Sequence, residues 1–349
     1  MRIPEFIRPG DTIGIAAPSF GAATEPYVTR LEAAIRKLEE RGYRIKTVPS
    51  VYKSDGLGIS TNPKDAADEL MQLYLDPEVA AVISVGGGEL MCETMSHIDL
   101  QALREAEPKW FMGYSDNTNL LLPLATIAGV PGIYGPCATG FGKEWEAPEK
   151  DAFSLLEGTN LCLKGYDRFE APNWDEEETD PLAPYRLDTE KVLTGMIPGN
   201  DGLRKAEKEE QIKMSGRLLG GCLDVLELVS GTRFDGVKEF AKEQEGIIWV
   251  LEACDLNVMS IRRALWHLRE QGWFDTAAGF LIGRPLAAFG QEMMGVDQYN
   301  AVTGILGEFG VPIVMDADVG HVKPMMPLIM GAHAEVSVSG NALEVAMSL

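Results

Sequence analysis

The apolar run Trp110-Phe111-Met112-Gly113 stops at a glycine, Ser115 and Asp116 follow, and Asn117-Thr118-Asn119-Leu120-Leu121-Leu122 resumes at helical spacing. That order predicts a strand, a tight turn and a helix. A serine at such a corner has its hydroxyl pushed out of the sheet, while the helix behind it aims backbone N–H groups and a positive dipole end at the same point. Nucleophilic attack and oxyanion stabilisation could then share one turn. Ser115 or Asp116 could equally be the N-cap of the helix, since both residue types are favoured there. Asn117 also stands where the general G-x-S-x-G elbow has its second glycine.

A serine nucleophile needs a base, and the chain holds four histidines. His97 precedes a helix start, His267 sits beside Trp266 in an amphipathic stretch, and His333 lies near the last hairpin; these three read as structural. His321 follows a glycine after a buried strand, where open α/β sheets gather their working groups, although a satisfied loop histidine would look the same. The third partner is a carboxylate that fixes the imidazole tautomer. Glu252, directly after Ile247-Ile248-Trp249-Val250-Leu251, leads because an acid there is costly to bury unpaired. Asp255 and Asp318 are rivals, and Glu252 could instead cap a helix or join a buried salt bridge.

The elements that must position these groups alternate. Asp11–Ala17, Tyr43–Val48 and Val79–Val85 read as strands, with amphipathic helices over Tyr27–Arg41 and Asn62–Leu75 between them. This predicts an α/β fold with a parallel sheet from residue 11 to about 130. Gly86-Gly87-Gly88 ends the third strand, where glycines let backbone N–H groups face a ligand; a tight turn or a phosphate cradle would read alike, and no Walker lysine accompanies it. We expect an N-terminal domain over 1–164, an insertion and linker rich in charge, Pro and Gly over 165–215, and a smaller C-terminal α/β domain over 216–349. In the last, Gly246–Leu251, Ala278–Gly283 and Val311–Met315 read as strands, Ser260–Gly272 as a helix, and residues 335–346 as a closing hairpin around Ser339-Gly340-Asn341. Trp174, inside the densest acidic run of the insertion, either packs that loop down or lies over a planar ligand.

A net charge of -22 argues against nucleic acid or an anionic membrane surface as partner. Five scattered cysteines with no C-x-x-C pair point to a reducing compartment and no structural zinc. No membrane span or leader is evident, so a cytoplasmic location is expected.

Taken together, these residues resemble the LD-carboxypeptidase family of serine peptidases, which includes the microcin C immunity peptidases. The resemblance runs through Gly10-Asp11-Thr12-Ile13-Gly14, Ser84-Val85-Gly86-Gly87-Gly88, Gly113-Tyr114-Ser115-Asp116, Tyr134-Gly135-Pro136, Gly220-Gly221, the strand ending in Glu252, and Gly320-His321 with Pro324. It implies Ser115 as nucleophile, His321 as general base and then acid, and Glu252 as the group orienting it. It also implies an oxyanion hole from backbone N–H groups of Gly87 or Gly88 and of Asp116, an N-terminal domain like that of class I glutamine amidotransferases, a homodimer, and no metal or cofactor.

Murein-trimming members of this family look as if they carry an arginine before the paired glycines, where this chain has Ser84-Val85. The 165–215 insertion with Trp174 looks more like the microcin-immunity branch, whose insertion aromatic stacks on the nucleobase of an aminoacyl-nucleotide. Cys222, where that branch tends to have asparagine, and Val319 and Lys323 beside the histidine depart from the pattern. The expected substrate is a small peptide or aminoacyl-nucleotide conjugate; a murein tetrapeptide is the alternative, and a silent binder of such conjugates the alternative from another class.

Overall fold

The computed structural model describes residues 1–172, 180–200 and 202–349. They divide into two compact units of comparable length. The first holds residues 1–160, 180–184 and 327–329; the second holds 161–172, 185–326 and 330–349.

In the first unit a six-stranded sheet runs in the order Leu328–Met330, Gly132–Tyr134, Trp110–Gly113, Val79–Ser84, Thr12–Ala16, Arg44–Thr47. From Arg44–Thr47 to Gly132–Tyr134 every neighbouring pair is parallel. The central strands are largely apolar because helices cover them, and the entire Thr12–Ala16 strand is buried. The helix Tyr27–Glu40 turns Leu31, Ala34 and Leu38 inward at helical spacing. The helix Pro63–Leu75 starts where Asn62 accepts the Asp65 N–H at 3.0 Å, with proline in its first turn. Because Val79–Ser84 pairs with Trp110–Gly113, the loops leaving both strands, Gly86-Gly87-Gly88 and Tyr114-Ser115, emerge side by side.

The second unit is built on a nine-stranded sheet: Gly202–Lys205, Thr194–Gly199, Ile313–Ala317, Ala277–Gly283, Ile247–Glu252, Gln211–Cys222, His333–Ser339, Ala342–Ser348, Cys162–Lys164. Its middle, from Ile313–Ala317 to Gln211–Cys222, is parallel, and antiparallel strands flank it. Ile247 to Leu251 are all essentially inaccessible to solvent. Each such side chain contributes about 1.5–3 kcal/mol on burial, which fixes where the following Glu252 must lie. The final hairpin forms over Gly340, whose φ of 58° suits a glycine turn. The charged stretch before residue 215 also carries strands, among them Thr194–Gly199, Gly202–Lys205 and the outer half of Gln211–Cys222. They are half exposed and take Lys, Arg, Gln and Gly on their solvent side, so no apolar run marks them. No described helix is long and apolar enough to cross a membrane.

Candidate active site

Ser115 opens a short 3-10 turn, Ser115–Asn117, that joins the strand Trp110–Gly113 to the helix Thr118–Thr126. Its φ is 62°, in the left-handed region that costs a non-glycine residue about 1–2 kcal/mol. Neither the 3-10 turn nor the helix carries a side-chain cap, so the capping reading of Ser115 and Asp116 does not describe this corner. The Ser115 N–H donates to the Tyr134 hydroxyl at 3.2 Å. Asn117 takes the place of an elbow glycine for a specific reason. Its amide nitrogen donates to the Gly86 carbonyl at 3.0 Å and the Tyr114 carbonyl at 2.9 Å, tying the two strand-end loops together. A side chain at Gly113 would run into that amide at 2.7 Å.

Asp116 is a structural acid. One of its oxygens accepts from Ser19 Oγ at 2.5 Å and the Met91 N–H at 2.8 Å, the other from Asn119 Nδ2 at 2.8 Å. Burial pushes its carboxyl up against the pull of these donors. Its carboxylate is therefore spent on holding the turn. Gly87 lies against the serine: an added Cβ there would sit 3.1 Å from Ser115 Cβ and 3.3 Å from Oγ. Gly88, at φ 147°, leaves no room for a side chain beside Ser19.

In the second unit His321 Nδ1 lies 2.8 Å from Glu252 Oε2. With Nδ1 donating to that carboxylate, the neutral ring keeps Nε2 as its proton acceptor. The Glu252 side chain is fully buried and that of His321 is 12% exposed, so the pair is dry on one side and reachable on the other. Burial opposes charge on the ring, but the Glu252 carboxylate and hydrogen bonds with Cys254 and Glu252 outweigh it and hold the imidazolium well above the ordinary histidine range. Gly320 makes the pairing possible: at φ 96° its missing Cβ would stand 2.5 Å from Glu252 Oε2.

The rival carboxylates are occupied or exposed. Asp318 is fully buried between Lys191 Nζ at 2.9 Å and Arg284 Nη2 at 2.6 Å, and it also accepts the Tyr166 N–H at 2.8 Å. Asp255 is exposed, with its N–H donating to Asp224. Sequence reasoning missed the Lys191–Asp318–Arg284 cluster, whose members lie far apart in the chain. It also missed Cys254, which hydrogen-bonds to the histidine, and Asp224, which holds the Cys254 backbone N–H at 3.0 Å; neither carries a motif. Among the described residues, Cys222, Glu252 and His321 form a group of metal-ligating types with donor atoms within 4.8 Å of one another. Trp174 lies outside the described residues.

Residues 13–135 match the model of the LD-carboxypeptidase N-terminal domain, and residues 215–336 match that of the LD-carboxypeptidase C-terminal domain. The chain belongs to the LD-carboxypeptidase family. It is 25% identical to a probable murein peptide carboxypeptidase of Bacillus subtilis, over 96% of this chain and 92% of that protein. It is 23% identical to the microcin C7 self-immunity protein MccF of Escherichia coli, over 96% of this chain and 93% of that one. The solved structure of MccF in complex with glutamyl sulfamoyl guanosine superposes with a TM-score of 0.77 at 20% identity, covering 100% of this chain and 99% of that one. The two-domain α/β fold is therefore the fold of an LD-carboxypeptidase, and the chain is a hydrolase of that serine carboxypeptidase family.

Proposed function

We propose that this LD-carboxypeptidase hydrolyses an amide bond in a small peptide or aminoacyl-nucleotide conjugate, using Ser115, His321 and Glu252 as its triad. The observation that carries the reading is the left-handed backbone of Ser115 at a strand-turn-helix corner, since strain of this kind persists where a side chain must be presented. Ser115 Oγ attacks the carbonyl carbon and His321 Nε2 takes its proton. The oxyanion is met by backbone N–H groups of Gly87 or Gly88 and of Asp116, and His321 returns the proton to the leaving amine. Water then repeats the cycle on the acyl-serine. Glu252 stabilises the imidazolium formed at each stage. Each oxyanion donor is worth about 3 kcal/mol of barrier in sites of this type.

The microcin-immunity reading draws on the likeness to MccF and assigns Trp174 to the nucleobase. A second reading, trimming of a murein tetrapeptide, draws on the Bacillus subtilis relative. A cytoplasmic homodimer is the setting that the family resemblance implies. The test is hydrolysis of glutamyl sulfamoyl adenosine beside a murein L,D-tetrapeptide, with Ser115→Ala and Trp174→Ala as variants. We expect cleavage of the sulfamoyl conjugate, lost in Ser115→Ala and weakened in Trp174→Ala. Cleavage of the tetrapeptide alone would overturn the first reading in favour of the second, and cleavage of neither would leave only a binding role.

A further inference from the structure

Cys222 is the last residue of its strand and pairs in register with Glu252, so their side chains leave the same face of neighbouring parallel strands. Gly220, at φ 142°, lets the strands close to this distance, because a Cβ there would strike the Val250 carbonyl oxygen at 1.9 Å. The result is that a thiol sulfur, a carboxylate oxygen and an imidazole nitrogen, from Cys222, Glu252 and His321, all lie within 4.8 Å of one another. Neither serine attack nor proton transfer uses the thiol. Burial and the Glu252 and Asp224 carboxylates keep Cys222 a thiol in the metal-free protein. Once deprotonated by an ion, its sulfur, with the imidazole and the carboxylate, is a donor set for zinc and similar thiophilic ions and a poor one for magnesium or calcium.

We propose that Cys222, Glu252 and His321 bind a thiophilic divalent cation, zinc being the type case, and that the bound ion silences the enzyme by engaging the imidazole. Donor atoms around tetrahedral zinc stand roughly 3.3–3.8 Å apart, given bond lengths of about 2.0–2.3 Å. An ion would replace the 2.8 Å contact between His321 and Glu252, whose donor atoms must part slightly, while any donor atoms as far apart as the 4.8 Å limit must draw inward by about an ångström. Asp224 supplies the supporting shell: its carboxylate lies 3.4 Å from Cys222 Sγ and accepts the backbone N–H groups of Cys254 at 3.0 Å and Asp255 at 2.8 Å. Binding forms metal–sulfur, metal–nitrogen and metal–oxygen bonds, releases waters from the ion, and transfers to solvent the Cys222 thiol proton and, where the ring is charged, the proton on the ligating nitrogen of His321. A water completes the coordination, and Cys254, which hydrogen-bonds to His321, stays outside it. The exposed edge of His321 is the way in.

The ion binding rests on these three residues alone; only its effect on turnover rests on the proposed triad. The test takes the full chain, stripped by a chelator, and titrates it with cobalt and with zinc. We expect a thiolate-to-cobalt charge-transfer band at one ion per chain, zinc displacing the cobalt, and zinc inhibition that a chelator reverses. Cys222→Ser should abolish the band and weaken zinc binding at least about a hundredfold, and His321→Asn should weaken binding as well. Ser115→Ala should bind the ion as the wild type does, so loss of turnover there tests the nucleophile and not the metal site. Absence of the band in the wild-type protein would overturn the inference. So would a band that survives in both Cys222→Ser and His321→Asn, or one that disappears only in Cys254→Ser.

Discussion

Replacing Gly320 with alanine tests how the histidine is held. The added methyl would stand 2.5 Å from Glu252 Oε2 and 2.6 Å from its Cβ and Cδ, so the carboxylate must withdraw by about an ångström to reach ordinary contact. The 2.8 Å contact to His321 Nδ1 would then stretch beyond hydrogen-bond range. Alanine at φ 96° adds about 1–3 kcal/mol of backbone strain. Parting a buried carboxylate from its partner costs up to about 3–5 kcal/mol more, lessened by whatever relaxation the loop allows. Loss of about 3–5 kcal/mol of stability is expected in all, read as a fall in Tm. Triads with a misoriented imidazole lose roughly 10^4 in kcat, about 5.5 kcal/mol of barrier. For Gly320→Ala we therefore expect kcat to fall by about 10^3–10^4-fold with KM little changed, since substrate contacts are untouched. Glu252→Gln, which keeps the volume and removes the charge, should reproduce the kinetic loss without the clash. A folded Gly320→Ala enzyme with kcat within about threefold of wild type would refute this account of Gly320 and Glu252.

Other positions give shorter tests. Ser115→Gly should remove turnover yet raise stability by about 1 kcal/mol, because glycine relieves the left-handed strain; a lower Tm would mean that the corner is not strained. The raised His321 pKa has two signatures. Its stabilising share is fully present below the unfolded histidine value of about 6.5 and is lost as pH rises through the folded value, while kcat/KM climbs with an inflection above about 6.5 as the neutral base appears. Glu252→Gln should flatten the first and move the second down, and a wild-type inflection at or below about 6.5 would contradict the assignment. Asp318→Asn leaves Lys191 and Arg284 buried with a neutral partner and should cost about 3–5 kcal/mol, read as a fall in Tm. An unchanged Tm would show that the cluster is not an ion network.

Much of the frame was legible because buried parallel strands announce themselves. Val79–Ser84 and Ile247–Glu252 are apolar runs bounded by turns, and the helix Tyr27–Glu40 shows its inner face directly in Leu31, Ala34 and Leu38. The half-exposed strands between residues 194 and 215 carried no such run, and Thr194–Gly199 and the outer half of Gln211–Cys222 take their place in the sheet from pairing with residues more than a hundred positions away. At the site, Glu252 was readable as an acid too costly to bury without a partner, and His321 lies within hydrogen-bond reach of it. What set Asp318 apart from Glu252 was invisible in one dimension, because its cations come from Lys191 and Arg284. Asn117 was misleading for the opposite reason: it breaks the glycine pattern of an elbow while its side chain does the work of holding the turn.

The most direct test of the central claim is the kcat of purified, folded Ser115→Ala on whichever amide substrate the wild-type enzyme cleaves. We predict a loss of about 10^4–10^6-fold, with the residual rate coming from binding and the oxyanion donors alone. A rate within tenfold of wild type would contradict the assignment of Ser115 as the nucleophile, and with it the acyl-serine route.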